Sequence, residues 1–216
     1  MDFSVLTQHW ADYLEGFLYT IFASLLGLVG SFILGTLIAV FRISPVKVLR
    51  GVGTAYVEFF RNIPLLLVVF IFYLGLPSVG IQLNGFQAGT LGLTIYTSSF
   101  IAEAIRAGIQ SVSTGQLEAA ISSGLTYAQA MRFIILPQAI KIVIPPISNQ
   151  FLNLVKNSSI LGMVAGMDLM YFADQVNLET YNTMDTYIFV GMFYLILTFP
   201  LAYATRVLER RMARVG

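Results

Sequence analysis

Charged residues divide the chain into long apolar runs. Between Glu15 and Arg42 lie 26 uncharged residues, and between Arg61 and Glu103 lie 41. A helix crossing a bilayer needs about 20 consecutive apolar residues, so the first run predicts one membrane span. The second is too long for one helix and holds turn-forming residues from Leu76-Pro77-Ser78 to Asn84-Gly85, so it predicts two. The uncharged run from Thr186 to Thr205 predicts a further span. Another is fitted over Phe133 to Val155, where Lys141 and Pro145-Pro146 interrupt the pattern. The prolines are expected to break that helix and free backbone groups that only a protein-lined cavity tolerates, a simple kink being the other reading. The expected fold is all-α and membrane-integral, one domain over residues 1–216.

Lys and Arg gather in alternate connecting segments. Segment 42–62 holds Arg42, Lys47, Arg50 and Arg61, segment 106–141 holds Arg106, Arg132 and Lys141, and the tail from Arg206 holds four more. Basic connections stay on the cytoplasmic side. The N-terminal segment and the segments 77–87 and 162–185 have no Lys or Arg, yet carry seven of the eleven acids, among them Asp168, Asp174, Glu179 and Asp185. Five spans with the N-terminus outside and the C-terminus inside satisfy every segment. Trp10 and Tyr13 then fall where an interfacial aromatic belt is expected.

Composition narrows the class. With 57% hydrophobic and 11% charged residues and a mean hydropathy of +0.79, the chain cannot clothe a water-facing surface, and lipid must solvate most of it. A net charge of +1 gives no basic stripe for nucleic acid. Absence of Cys excludes disulfides and thiolate metal sites, and a single His leaves no constellation for metal or acid–base catalysis. The acidic N-terminal segment, with Asp2, Asp12 and Glu15, lacks the basic start of a signal peptide, so no cleavable leader is expected.

The cytoplasmic segment Gly115-Gln116-Leu117-Glu118-Ala119-Ala120-Ile121-Ser122-Ser123-Gly124-Leu125-Thr126 carries its own pattern. Gly115 with Glu118 suggests a capping arrangement, Ala119 and Ala120 favour helix, and Gly124 suits a left-handed stop. Thr126 with Gln129 forms a second capping box that opens a helix returning to the membrane. A surface helix-turn-helix results. Glu-Ala-Ala, a Gly four residues on, and then Ile134-Ile135-Leu136-Pro137 resemble the signature loop of ABC importer permeases. Phe60-Arg61-Asn62-Ile63-Pro64, the Ala102–Ile109 run, and Asn149-Gln150-Phe151 followed by Lys156-Asn157-Ser158-Ser159 resemble the polar amino acid (His/Glu/Gln/Arg/opine) branch.

That resemblance implies a five-helix core and a coupling helix over about 115–129, with Gly115, Glu118, Ala119, Ala120, Gly124 and Thr126 meeting an ATPase subunit. It also implies a pair of permeases, the second being the same chain or a homologue, set in a bacterial inner membrane. The chain has no Gly-x-x-x-x-Gly-Lys-Ser/Thr, so ATP and Mg belong to a partner ATPase dimer and no cofactor is expected here. Short outer loops imply delivery by an extracytoplasmic binding protein.

Charge at membrane depth costs about 2.5–3.5 kcal/mol on insertion scales, so each such residue is a candidate. Glu103 and Arg106 stand three apart, where a structural ion pair competes with a functional role. Asn149, Asn153 and Lys156 fall on one helix face, a pocket lining or a cation reaching outer phosphate. Ser98, Glu103, Asn149, Asn153, Lys156, Asn157, Ser158 and Ser159 form the candidate substrate set. Many relatives of the resembled branch carry Asp where this chain has Asn157, and loss of that carboxylate favours glutamate, glutamine or aspartate over a cationic amino acid. The competing functions are a basic amino acid permease of the same class and an ATP-independent secondary transporter, which predicts paired broken helices in two halves.

Overall fold

A computed structural model describes residues 2–214, with side chains through Met212. A short helix α1 (Phe3–Gln8), capped by Asp2, leads into α2 (Trp10–Ile43). At 34 residues α2 is about 51 Å long and overreaches a hydrocarbon core of about 30 Å. It stops at Ser44, held extended ahead of Pro45. Helix α3 (Lys47–Asn62) buries Gly53 and Val57 and turns Lys47, Arg50, Glu58 and Arg61 outward, the habit of a helix lying on the membrane surface. It ends before Pro64, and the chain bends by 110° into α4 (Leu65–Phe70), prolonged by a π turn to Gly75 and a 3₁₀ turn to Val79.

Asn84 and Gln87 close a capping box on α5 (Gly85–Gln110). The cytoplasmic segment folds as α6 (Thr114–Ser122) and α7 (Tyr127–Ala130), which continues through a π turn into α8 (Leu136–Asn157). A 3₁₀ stretch, Ser158–Val164, precedes α9 (Leu169–Thr180) and α10 (Thr183–Arg214).

Among the described residues three helices are long and apolar enough to cross a membrane, Trp10–Ile43, Tyr127–Val164 and Thr183–Met212, and α3 with the segment Leu65–Val79 makes a fourth only if that pair, bent by 110°, is one broken span. Helix α5, which the sequence pattern counted as a span, is not among them: it is less apolar and lies mostly inside the bundle. It packs against α2, α3, α4 and α8, and 12 of its 26 residues are buried, many of them Gly, Ser, Thr or Ala. Small residues let helix backbones approach closely in a bilayer. At Gly35 of α2 a Cβ would lie 2.8 Å from both the Ile101 side chain and the Ser98 carbonyl oxygen.

Three expectations are corrected. Pro145 and Pro146 lie inside a continuous α8, which accommodates them at the cost of two backbone hydrogen bonds rather than breaking. Tyr13 is not an interfacial anchor. It is fully buried and stacks on Phe193 at 5.8 Å, while neighbouring Trp10 stays half exposed. The outer segment 162–185 is mostly helix rather than loop. Asp168 caps α9 by accepting from Met170 N and Tyr171 N at 3.2 and 3.1 Å, and Leu169 N donates to Thr20 Oγ1 of α2 at 3.0 Å.

At the cytoplasmic end of α5, Glu103 accepts from Arg106 at 2.6 and 3.1 Å, pairs with Arg42 of α2, and lies 4.0 Å from Arg61 of α3. One mostly buried carboxylate thus ties three helices.

Two measurements test this architecture. Cysteines placed at Ser78 and Gln175 should react with an impermeant reagent from outside, and one at Ser113 should not; outside labelling of Ser113 contradicts the orientation. Glu103→Gln removes the carboxylate that Arg42, Arg61 and Arg106 share, Arg106 keeping only the more distant Glu58, and, the cluster being partly open to solvent, should cost about 1–3 kcal/mol. A thermal midpoint equal to wild type in detergent would exclude the tying role.

Candidate functional site

Two regions concentrate the candidate residues. In the cytoplasmic one, α6 ends in a Schellman turn. Gly124 N donates to Ile121 O at 2.9 Å and Leu125 N to Ala120 O at 3.1 Å, with Gly124 at φ +89°. No atom lies within 4 Å of a Cβ built there, so conformation rather than space calls for glycine. Thr126 then accepts from Gln129 N while Gln129 Oε1 accepts from Thr126 N at 2.9 Å, the reciprocal capping box that opens α7.

The start of α6 differs from expectation. Ser113 is the N-cap and makes no side-chain cap, so Gly115 and Glu118 are interior positions. Glycine has no side chain to accept the free amides, and Glu118 stands exposed on the second turn. Leu117 packs on the cluster of Val112, Ile135 and Ala139, and Ala120 is buried. That anchoring leaves Gly115, Glu118 and Ala119 exposed together with Ile121 and Tyr127, the latter 48% and 58% exposed.

The second region is the outer half of α8. Ser148, Leu154 and Val155 are buried against the bundle, while Asn149, Asn153 and Lys156 are exposed on the other side. Pro145 and Pro146 are exposed on the same side. Lys156 makes no ion pair among the described residues. With Ser159 it lines a groove of ≈ 330 Å³ against Tyr187, Gly191 and Tyr194 of α10. A helix at membrane depth cannot leave two amides and an ammonium to hydrocarbon, so this face is built to meet protein or water.

The other candidates do not join that face. Ser158 is buried and donates to Val155 O at 2.8 Å, and Asn157 is half-buried. Ser98 is fully buried on α5; its hydroxyl lies 2.7 Å from the Tyr56 hydroxyl and donates to Ile95 O at 2.7 Å. Glu103 is committed to its arginines. The contributions of Arg42, Arg61 and Tyr56 were missed in the sequence, although opposite charges at the ends of adjacent apolar runs were a usable signal for the first two.

Residues 10–214 match the family described as "Binding-protein-dependent transport system inner membrane component". Over 214 residues the chain is 63% identical to a Bacillus subtilis (strain 168) protein named "Probable glutamine ABC transporter permease protein GlnM", covering 99% of each. It is 32% identical over 213 residues to "Arginine transport system permease protein ArtQ" of the same organism, covering 98% of this chain and 97% of the other. A solved structure described as "Crystal structure of an amino acid ABC transporter with histidines" superposes with a TM-score of 0.91 at 34% identity, covering 98% and 99%. Likeness of sequence and fold over nearly the whole length leads to one conclusion: the chain belongs to the inner-membrane components of binding-protein-dependent transport systems, as a multi-pass, non-enzymatic ABC transporter permease.

Proposed function

We propose that this permease imports glutamine, or a close acidic or amide relative such as glutamate or aspartate, along a path lined by the polar face of α8. The observation that carries the reading is that face: Asn149, Asn153 and Lys156 stand exposed on a spanning helix whose opposite side is buried. A second permease, the same chain or a homologue, covers it and encloses an aqueous cavity. Lys156 offers a cation to a substrate carboxylate, and the two asparagines offer amide donors and acceptors to an amide side chain. Asn157 carries no charge, so the segment has no carboxylate to attract a cationic side chain. GlnM carries glutamine in its name and ArtQ arginine, so family membership does not by itself choose the substrate. The higher identity to GlnM supports the amide.

An ATPase and an extracytoplasmic binding protein are partners of the kind this family uses. In our reading the ATPase, which binds ATP and Mg, docks on the exposed face of α6 and α7 around Glu118, Ala119, Ile121 and Tyr127. The Schellman turn at Gly124 and the Thr126 capping box fix the angle between those helices, so Gly115, Ala120, Gly124 and Thr126 act by shaping the surface rather than by touching the nucleotide.

Gly124→Val forces a branched side chain into the left-handed region at a cost of about 1–2 kcal/mol, which the short turn cannot absorb. Substrate transported per ATP hydrolysed should fall at least fivefold or so while membrane insertion is unchanged; unaltered coupling with normal ATPase co-purification would count against the docking surface.

Substrate choice is tested by competition in vesicles holding the complete transporter and its binding protein. Unlabelled glutamine or glutamate should outcompete arginine, and Lys156→Met should lower apparent affinity by about tenfold. Stronger competition by arginine or lysine points to a basic amino acid importer, and uptake unchanged in Lys156→Met removes that residue from the path.

A further inference from the structure

We infer that the permease holds an anionic phospholipid of the inner leaflet between its bundle and α6, with the phosphate at Arg42 and Arg50 and an acyl chain between α2, α5 and α8. Two grooves carry this reading. The first, of ≈ 360 Å³, opens where the cytoplasmic ends of α2 and α5 meet α6 and α7. Arg42, Arg50, Gln110, Ser113, Thr114 and Tyr127 supply its polar wall. The second, of ≈ 250 Å³, runs between α2, α5 and α8, and its exposed wall is almost wholly apolar. Ile109 lines both, so the two grooves meet at that side chain. A polar groove at the membrane surface therefore continues into an apolar one within it, the outline of an amphiphile.

The sign of the polar end is positive. The Arg42 side chain is 8% exposed and its Nε has no hydrogen-bond partner, although its other end pairs with Glu103. Arg42, Arg61 and Arg106 outnumber the one carboxylate they share. Arg50 makes no ion pair among the described residues. The amino end of α6, a helix of nine residues, reaches the same groove through Ser113 and Thr114 without a side-chain cap, so its free amides add positive potential.

The apolar groove lies on the side of α8 away from the proposed path. Leu136, Ile140, Val143 and Ile147 stand about 150° round the helix from Asn149, Asn153 and Lys156. Phe32, Leu136 and Ile140 are exposed there at 46%, 37% and 50%, as lipid-facing side chains are. A soluble anion would use the polar groove alone; the apolar continuation selects a lipid. Because Thr114 and Tyr127 share the headgroup site with Arg42, such a lipid bridges the bundle and the proposed ATPase-docking helices.

Native mass spectrometry of the complete transporter, released from nanodiscs containing phosphatidylcholine and phosphatidylglycerol, tests the assignment. Wild type should retain phosphatidylglycerol over phosphatidylcholine. Arg50→Glu, at an exposed position, should lower that retention by about tenfold, two units of charge at roughly fivefold each being an upper guide. Thr36→Phe, which fills the apolar groove, should lower it too. Lys47→Glu, on the same helix but outside the groove, should not. Retention unchanged in Arg50→Glu, or lowered equally by Lys47→Glu, overturns the proposal. So does displacement of the lipid by inorganic phosphate combined with full retention in Thr36→Phe, which would identify a free-anion site.

Discussion

The close approach of α5 to α2 is the contact on which the rest of the bundle depends. At Gly35 the two backbones come together with no room for a Cβ, and Ser98 and Ile101 fill the facing surface. A helix held that tightly on several sides presents little of its surface outward. Its hydroxyls can turn back on their own carbonyls, as Thr94, Ser98 and Ser99 do at 2.6–2.7 Å. The same approach sets the depth of Glu103, which meets Arg42 because α2 lies alongside and Arg61 because α3 folds back beneath the bend at Pro64. Dispersion between small residues, rather than a hydrophobic drive that lipid cannot supply, therefore positions the charged cluster.

With α5 at the centre, the two sides of α8 acquire different surroundings. Val143 and Ala139 pack inward, the first against Gly108 of α5 and the second in the cluster under α6. The outward side carries prolines, amides and Lys156. An ordinary lipid-facing helix would show the reverse, so α8 is a helix whose environment is completed by something outside this chain. That is why α8 bears the substrate reading and Ser98, although polar and at membrane depth, does not: its hydroxyl is already paired with Tyr56.

What could be seen in the sequence divides along physical lines. Spans, orientation and the helix-turn-helix are local or compositional: a charge-free run, a basic loop, Gly124 in a left-handed turn, Thr126 and Gln129 three apart. Each rests on residues within a few positions of one another. Contacts across the bundle were not legible, since Arg42 and Glu103 are 61 residues apart and Leu169 and Thr20 are 149 apart. Pro145-Pro146 misled because proline weakens an isolated helix, whereas tertiary packing on α5 holds this one together. Tyr13 misled because an aromatic near a span's end suits an interface equally well when no partner such as Phe193 is known. Helix α9 went unseen because the acids Asp168, Asp174 and Glu179 along it hid an inward face of Leu169, Ala173 and Val176.

Continuity from α7 to α8 links the two candidate regions more directly than any loop could. From Tyr127 to Asn157 the chain is helical throughout, about 46 Å of rod if regular, with the capping box at one end and the polar face at the other. A rod transmits displacement without the slack of a flexible connection, and α6 is braced against its first turns through Leu117. The rod is not uniform. Its π turn at Met131–Ile135 and the prolines Pro145 and Pro146, which have no backbone N–H to give to the helix, are the places where a helix bends most readily. Both lie between the docking surface and Asn149, so the mechanical weak points fall on the covalent route that joins the proposed ATPase contact to the proposed path.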